Sequence, residues 1–168
     1  FYKTLQQAGD EIFDAEGNPD FNGPEGVRAA EWLVGKAGRT MPTTAEIGDT
    51  PDFDTNLFKE GKLAMWHNGI WQFSGLQDVP FEWDVVVEPG SEQKASAVFQ
   101  NAAAVSATTE NADAATRWVS FLTGSDVTAE TRIASSWELP PVADETILAG
   151  YLEQPVPANR QAVFDSLE

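Results

Sequence analysis

The sequence predicts an α/β fold. Short apolar runs rich in β-branched or aromatic residues, such as 85–87, alternate with stretches of helical spacing, such as 111–123. Prolines, glycines and polar clusters separate these runs where turns are expected. Because the sequence contains no heptad, internal repeat or low-complexity tract, no other architecture is indicated.

Composition excludes several functional classes. The chain has 168 residues and is 42% hydrophobic, which suits one ordinary core and argues against disorder. Its 27 acidic and 10 basic residues give a net charge of -17, so we expect neither a nucleic-acid partner nor an anionic membrane surface. Without cysteine it can form no disulfide, thiolate zinc site or cysteine nucleophile. No apolar run could span a bilayer, and the opening at Phe1 suggests a piece of a longer protein.

The first elements are predicted to be a short helix and a polar turn. An amphipathic helix over 1–8 ends at Gly9, and a hairpin or irregular loop follows over 11–22. Alternating acids and amides from Asp14 onward also resemble a calcium loop, but Pro19 stands where such a loop needs a flexible glycine. The polar turn is therefore the favoured interpretation.

The second helix is predicted from its start signal. Residues 22–25 place a capping Asn or Gly, a Pro at the first helical position and an acid in the first turn. An apolar stripe at helical spacing is expected to face a core and consists of Val27, Ala30, Leu33 and Val34. Residues 39–52 are predicted to be a loop, and 53–58 a short helix.

The stretch 58–71, FKEGKLAMWHNGIW, is the predicted centre of the site. Its apolar run 63–66 is expected to be a buried strand, after which the chain must turn. Trp71 then falls on the first turn of a helix. Because ligands of open α/β sheets bind beyond the carboxyl ends of the strands, Trp71, Asn68 and His67 are candidate ligand contacts. A flat ring beside amide and imidazole groups suits a sugar, although an indole that packs the helix against the sheet is the alternative.

The second half of the chain continues the alternation. Strands are predicted over 82–87 and within the apolar run 97–107, and a helix over 111–123 ends at Gly124. Ser125 can cap the next helix, which cannot continue into the paired prolines at 140 and 141. The remaining predicted helices cover 144–152 and 158–168.

The sequence carries no catalytic motif. It has no G-x-S-x-G, no Gly-rich phosphate loop and no H-E-x-x-H, and His67 is its only histidine. We therefore predict no enzyme, no cofactor and no metal. Glycoside hydrolysis, which needs only two carboxylates, stays open as the enzymatic alternative, but no particular pair stands out among 27 acids.

Four motifs occur in an order that resembles one protein family. The stretch 58–71 resembles the F-x-x-G-x-x-A-M-x-x-x-G-x-W motif of the extracellular solute-binding proteins of ABC transporters, in the sugar- and oligosaccharide-binding, maltose-binding-protein-like branch. Residues 20–25 resemble the F-N-(S/G)-P-E entry to a lobe helix in that family. Residues 105–122 resemble a second helix entry, and 139–142 the proline element that follows it. The resemblance covers nearly the whole chain.

The resemblance implies a periplasmic-binding-protein-like lobe, a mixed sheet flanked by helices, that is incomplete relative to the two-lobe family fold. It assigns residues 1–100 and 147–168 to the second lobe, and residues 101–146 to the first lobe and the hinge. The predicted helix 111–123 would then lack part of its native sheet.

The resemblance also implies binding without chemistry. An aromatic ring stacks on the C–H face of a sugar, amides and acids bind its hydroxyls, the lobes close about the hinge, and the permease recognises the closed form. Trp71 matches the stacking position of the motif, and Asn68 and His67 share its turn. The other implied ligand contacts are Gln100, Asn101, Trp137 and Glu138.

The implied protein is a monomer located outside the cytoplasmic membrane, in the periplasm or lipid-anchored on its outer face. Its implied partners are a small sugar ligand and the membrane subunits of an ABC permease. A carbohydrate-active enzyme or carbohydrate-binding module is the alternative function, and an acidic interaction domain is a third.

A packing role is the alternative for each candidate residue. Gln100 and Asn101 could satisfy backbone groups at a strand end, and Trp137 could belong to either class. Four further tryptophans are expected to pack in a core or groove and are Trp32, Trp66, Trp83 and Trp118.

Overall fold

The computed structural model describes residues 1–48, 50–136, 138–141 and 143–167, and the regular structure of these residues is helical. The helices α1 to α8 are Tyr2–Gln7, Pro24–Val34, Thr44–Ile47, Phe53–Lys59, Ala112–Gly124, Asp126–Ser135, Glu145–Leu152 and Gln161–Asp165. A 3-10 helix, Ile70–Leu76, lies between α4 and α5 in the chain. Within this part of the chain, every helix is too short or too polar to span a bilayer.

The chain divides into two compact units. Unit 1 comprises Phe1–Leu57, Val87–Val98 and Ser166–Glu168. Unit 2 comprises Phe58–Val86 and Phe99–Asp165.

The predicted strands are not paired within the described residues. The segments 63–66, 82–87 and 97–107 belong to no ladder there. Met65 is 88% exposed and Val86 75% exposed, so the described residues do not cover these two apolar side chains. A strand is stable only beside a hydrogen-bonded neighbour, and an apolar run does not reveal where in the chain that neighbour lies. The predicted mixed sheet is therefore not confirmed.

The core of unit 1 forms where α1 packs against α2. Leu5, Ala8 and Ala29 are its buried apolar residues. The backbone approaches closely here, because a Cβ on Gly26 would collide with the carbonyl oxygen of Phe21. Only glycine fits at that position, which explains why the second helix can lie so near the loop that precedes it.

The core face predicted for α2 is wrong, because Val27, Ala30 and Val34 are exposed and Leu33 is only half-buried. Val27 is 50% exposed and Val34 74% exposed, whereas Gly26 and Ala29 are buried. Small residues let two helices approach closely, so the contact with α1 forms through them and leaves the larger valines outside. Trp32, predicted to pack, is also exposed, with the Lys36 ammonium 2.9 Å from its ring centroid.

Polar contacts attach the segment 87–98 to α1 within unit 1. Lys3 forms an ion pair with Glu88. The side-chain amide of Gln7 donates to the carbonyl of Ala95 at 3.1 Å and to that of Pro89 at 3.4 Å. Because Gln7 is buried, these bonds offset the cost of removing its amide from water.

The loop 11–22 is a polar turn closed by an isolated bridge between Phe13 and Pro19. The carboxylate of Asp14 accepts hydrogen bonds from the backbone and side chain of Asn18, and these bonds lower its pKa below the usual value. The carboxylate thus organises the turn itself, in agreement with the favoured interpretation of this loop.

The predicted loop 39–52 contains the short helix α3. The hydroxyl of Thr43 accepts from the backbone of Glu46, whose carboxylate accepts in return from the Thr43 backbone at 2.7 Å. This reciprocal capping box satisfies donors that the helix cannot satisfy itself, and an isolated bridge from Ala37 to Met41 precedes it.

In unit 2, α5 contacts α6, and α6 contacts α7. Three helices predicted in this half are confirmed within one or two residues, and Ser125 caps α6 as predicted by accepting from the Thr128 backbone. Asn111 precedes α5 without a side-chain capping bond. The last helix, α8, is shorter than the predicted 158–168.

The apolar face of α5 is only partly covered by the described residues of unit 2. No residue of α5 is buried, and Trp118 and Phe121 are 59% and 44% exposed. Their rings stack on each other with centroids 5.7 Å apart. The packing role predicted for Trp118 is therefore not seen in the described residues, whereas Trp66 and Trp83 are half-buried against neighbouring aromatic rings.

Candidate functional site

The turn before the 3-10 helix positions the indole of Trp71. Asn68 bends the chain there, because its side-chain oxygen accepts a hydrogen bond from the backbone N–H of Gly69 at 2.8 Å. The indole of Trp71 folds back over Gly69, so that a Cβ on this glycine would overlap the six-membered ring. The Gly-x-Trp spacing therefore has a steric reason, since only glycine leaves room for the ring.

The indole of Trp71 is partly exposed and meets a second aromatic ring. Trp71 is 42% exposed and Phe99 is 74% exposed. Their centroids lie 5.7 Å apart with an angle of 82° between the ring planes. This edge-to-face arrangement is one that aromatic pairs prefer, and it brings the turn 67–71 beside the segment that carries Gln100 and Asn101.

Two predicted site residues, Asn101 and Glu138, belong to a hydrogen-bonded set of side chains in unit 2. The side-chain amide of Asn101 donates to Glu138 at 2.9 Å. Glu138 also forms an ion pair with Arg132 on α6, and Arg132 donates to the carbonyl of Leu122 near the end of α5. These bonds hold the carboxylate of Glu138 in one orientation, with the segment at 101 attached to the end of α6.

A buried arginine supports the 3-10 helix that carries Trp71. Arg160 is 0% exposed and donates to the hydroxyl of Ser136 at 3.1 Å. Its guanidinium lies 5.4 Å from the ring centroid of Phe73, which belongs to the same 3-10 helix as Trp71, and 4.7 Å from that of Tyr151. Burial lowers the pKa of Arg160 and raises that of Tyr151. The cation thus lies between aromatic faces and also donates to the Val156 carbonyl.

The structure places the predicted site residues as follows. His67, Asn68, Gln100 and Asn101 are exposed, and Glu138 is half-buried. Trp71 contacts the segment of Gln100 through Phe99, and Asn101 contacts Glu138, whereas Trp137 lies outside the described residues.

Sequence reasoning missed two residues that shape this site. Gly69 was seen only as a turn residue, although the motif spacing itself pointed to it. Phe99 was seen as part of an apolar run, and its direct proximity to Gln100 was the available signal. Among the described residues, no group of acidic or histidine side chains is arranged to hold a metal ion.

Comparison with known proteins gives two findings. The family model described as bacterial extracellular solute-binding protein matches residues 1–154. The solved structure of the ABC substrate-binding protein Lmo0181 from Listeria monocytogenes, in complex with cycloalternan, is similar at 36% sequence identity with a TM-score of 0.86. The match covers 99% of this chain and 43% of that one, so the present chain spans less than half the length of the matched protein. A comparison with curated proteins gives no match.

Proposed function

The chain belongs to the bacterial extracellular solute-binding proteins, as its motifs predict, and we propose that it is part of a component that captures a sugar or oligosaccharide for an ABC transporter. The observation that carries this proposal is the partly exposed indole of Trp71, seated on Gly69 beside the amide of Asn68. The exposed flat ring can stack on the apolar C–H face of a pyranose, and the adjacent hydrogen-bonding groups can bind its hydroxyls. The family is extracellular, so the protein works outside the cytoplasmic membrane.

The ligand class is supported by the similar protein. Lmo0181 is bound to cycloalternan, and it shares 36% of its aligned residues and its fold with this chain. An oligosaccharide is therefore the ligand that we propose, with Trp71 stacking on the apolar face of one sugar unit. The high acidity of the chain agrees with an uncharged ligand, since an anionic one would be repelled.

The polar contacts to the sugar hydroxyls come from two places in unit 2. Asn68 and His67 lie on the turn of Trp71 and are exposed, and Gln100 is exposed next to Phe99. Asn101 and Glu138 are already bonded to each other, so their orientations are set before a ligand arrives. Trp137, next to Glu138 in the sequence, completes the proposed set.

The chain is proposed to contain one lobe of the binding protein and part of the other lobe. Residues 1–100 and 147–168 form the second lobe, and residues 101–146 belong to the first lobe and the hinge. The substrate-binding protein fold is shared with Lmo0181 over 99% of this chain, which is 43% of the other. The exposed apolar side chains of Met65, Val86 and Trp118 support a mixed sheet whose neighbouring strands lie elsewhere in the full-length protein.

No chemistry is required of this protein in the proposed function. Its family and the similar solved protein are binding proteins, and the proposed partners are the sugar and the membrane subunits of a permease, with the binding protein itself a monomer. A carbohydrate-active enzyme or carbohydrate-binding module is the alternative function, and no particular contact of the structure favours it.

Calorimetry on the full-length protein tests this function. Titration with cycloalternan and with linear oligosaccharides should give saturable binding, and chromatography of the same mixtures should reveal no product. Trp71→Ala should weaken binding by about 1–3 kcal/mol, while the exposed Phe13 outside unit 2 serves as a matched control through Phe13→Ala. Hydrolysis of the sugars would favour the enzyme instead, and unchanged affinity of the Trp71 variant would reject the stacking role.

A further inference from the structure

Phe99 is an exposed aromatic residue in the described part of unit 2. It is 74% exposed, and the ring contact that the structure gives it is the edge-to-face contact with Trp71. An aromatic side chain of this size normally buries most of its surface, and two adjacent exposed rings form an apolar patch of the kind that marks a binding site.

The geometry of the pair restricts what can bind there. The six-membered ring of the Trp71 indole lies against Gly69, which limits how the ring can turn. The planes of Trp71 and Phe99 are inclined by 82°, so the pair forms an apolar corner rather than one extended platform. A single pyranose ring is flat and can stack on only one of two perpendicular surfaces.

We propose that Phe99 is a second ligand-contacting residue, which binds the sugar unit adjacent to the one stacked on Trp71 and thereby selects oligosaccharides over monosaccharides. This inference rests on the proposed sugar-binding function. Two glycosidically linked units differ in the orientation of their ring planes, so a bent or cyclic chain presents one apolar face to each wall of the corner. The polar residues Gln100 and Asn101 follow Phe99 in the chain and are exposed, so we expect them to bind hydroxyls of that second unit.

The location of Phe99 also explains why its effect should depend on ligand length. A monosaccharide that stacks on Trp71 can touch the perpendicular Phe99 ring only with its edge, so it gains little affinity from that ring. A longer ligand buries the Phe99 ring as well, and this additional apolar burial is what distinguishes the two. Removal of the ring should therefore abolish the gain in affinity with length and leave the first unit bound as before.

The experiment compares ligands of increasing length on the full-length protein. Calorimetry is performed with glucose, maltose, maltotriose and cycloalternan on the wild type, Phe99→Ala, Phe99→Tyr and the distant control Phe13→Ala. We expect Phe99→Ala to weaken binding of the longer ligands by about tenfold and glucose by less than about threefold. Phe99→Tyr, which keeps the ring, and Phe13→Ala should both retain the wild-type affinities.

The possible failures separate this inference from the function on which it rests. If the wild type binds sugars and Phe99→Ala binds each of them equally well, the Phe99 inference is wrong and the proposed function stands. An equal loss of affinity for glucose and for the longer ligands would also overturn it, since the residue would then act on the first unit. If the wild type binds none of the sugars, the proposed function fails and this inference with it. Circular dichroism spectra that superimpose for all variants verify that each protein is folded.

Discussion

The guanidinium of Arg160 lies 4.7 Å from the ring centroid of Tyr151, and both side chains are buried in unit 2. The Tyr151 hydroxyl has no hydrogen-bond partner of good geometry among the described residues. An aromatic face therefore stabilises the cation, while the hydroxyl at the end of the same ring is removed from water with only the nearby Arg160 charge beside it. This combination makes two predictions for Tyr151, one at neutral pH and one at alkaline pH.

Tyr151→Phe should leave the free energy of unfolding unchanged or raise it by about 1 kcal/mol at pH 7, because the variant keeps the ring and removes an unsatisfied hydroxyl. At higher pH the difference in stability between the two proteins comes from ionisation of the Tyr151 hydroxyl. Burial raises the pKa of Tyr151 above its usual value of 10.0, so the unfolded chain loses this proton first and the wild type loses stability as the pH rises above about 10. Tyr151→Phe should lose less stability in that range.

Urea unfolding between pH 7 and pH 11 measures this difference. The chain has a second tyrosine, Tyr2, which is 67% exposed, so its hydroxyl meets water in both states. Tyr2→Phe should therefore follow the wild-type pH profile. A parallel profile for Tyr151→Phe and the wild type would contradict the assignment of the alkaline loss to Tyr151.

Local signals in the sequence predicted most of the helices, because the residues that set a helix end lie within a few positions of it. Pro24 and Ser125 started their helices as predicted. The capping box of Thr43 and Glu46 was equally local, and the T-x-x-E spacing could have revealed α3. The sequence was therefore sufficient wherever a hydrogen bond joins near neighbours.

Contacts between distant positions could not be predicted in the same way. A strand at 63–66 would need pairing partners that its own pattern does not identify, and the contact of Trp71 with Phe99 joins two separate segments. The core face of α2 was missed because Gly26 was not considered as a packing residue, although close approach requires a small one. In each case the prediction failed because hydrophobic periodicity does not reveal which distant segment of the chain a residue packs against.

Gly69→Ala should reduce sugar affinity by about tenfold or more, because the new Cβ occupies the space of the Trp71 indole and forces it from its position. Gly75→Ala, in the 3-10 helix that follows, is a matched control. There the nearest atom to a new Cβ is the end of the flexible Lys59 side chain, which can move away. Calorimetry on the full-length protein measures both variants, and equal affinities for the two would show that the indole position is not critical.

Asn101→Asp should lower the free energy of unfolding more than Asn101→Ala does, by about 1 kcal/mol. Alanine only removes the hydrogen bond to Glu138, whereas aspartate places a second carboxylate at the 2.9 Å contact. Urea unfolding of this chain at neutral and mildly acidic pH measures the difference. It should shrink at lower pH, where one carboxyl of the pair takes up a proton. If aspartate and alanine were equivalent at every pH, the two side chains would not be in contact in solution.

Trp118→Ala should have different effects in this chain and in the full-length protein. Here the indole is 59% exposed on a helix without a buried residue, so its removal should cost less than about 1 kcal/mol. If residues 101–146 belong to a lobe completed by the rest of the protein, the same indole is buried there, and its removal should cost about 3–5 kcal/mol. Urea unfolding of both proteins, with Trp32→Ala as the control for an exposed indole in unit 1, measures the comparison. Equal costs of Trp118→Ala in the two proteins would mean that nothing covers α5, and the proposed assignment of this segment to the first lobe would have to be abandoned.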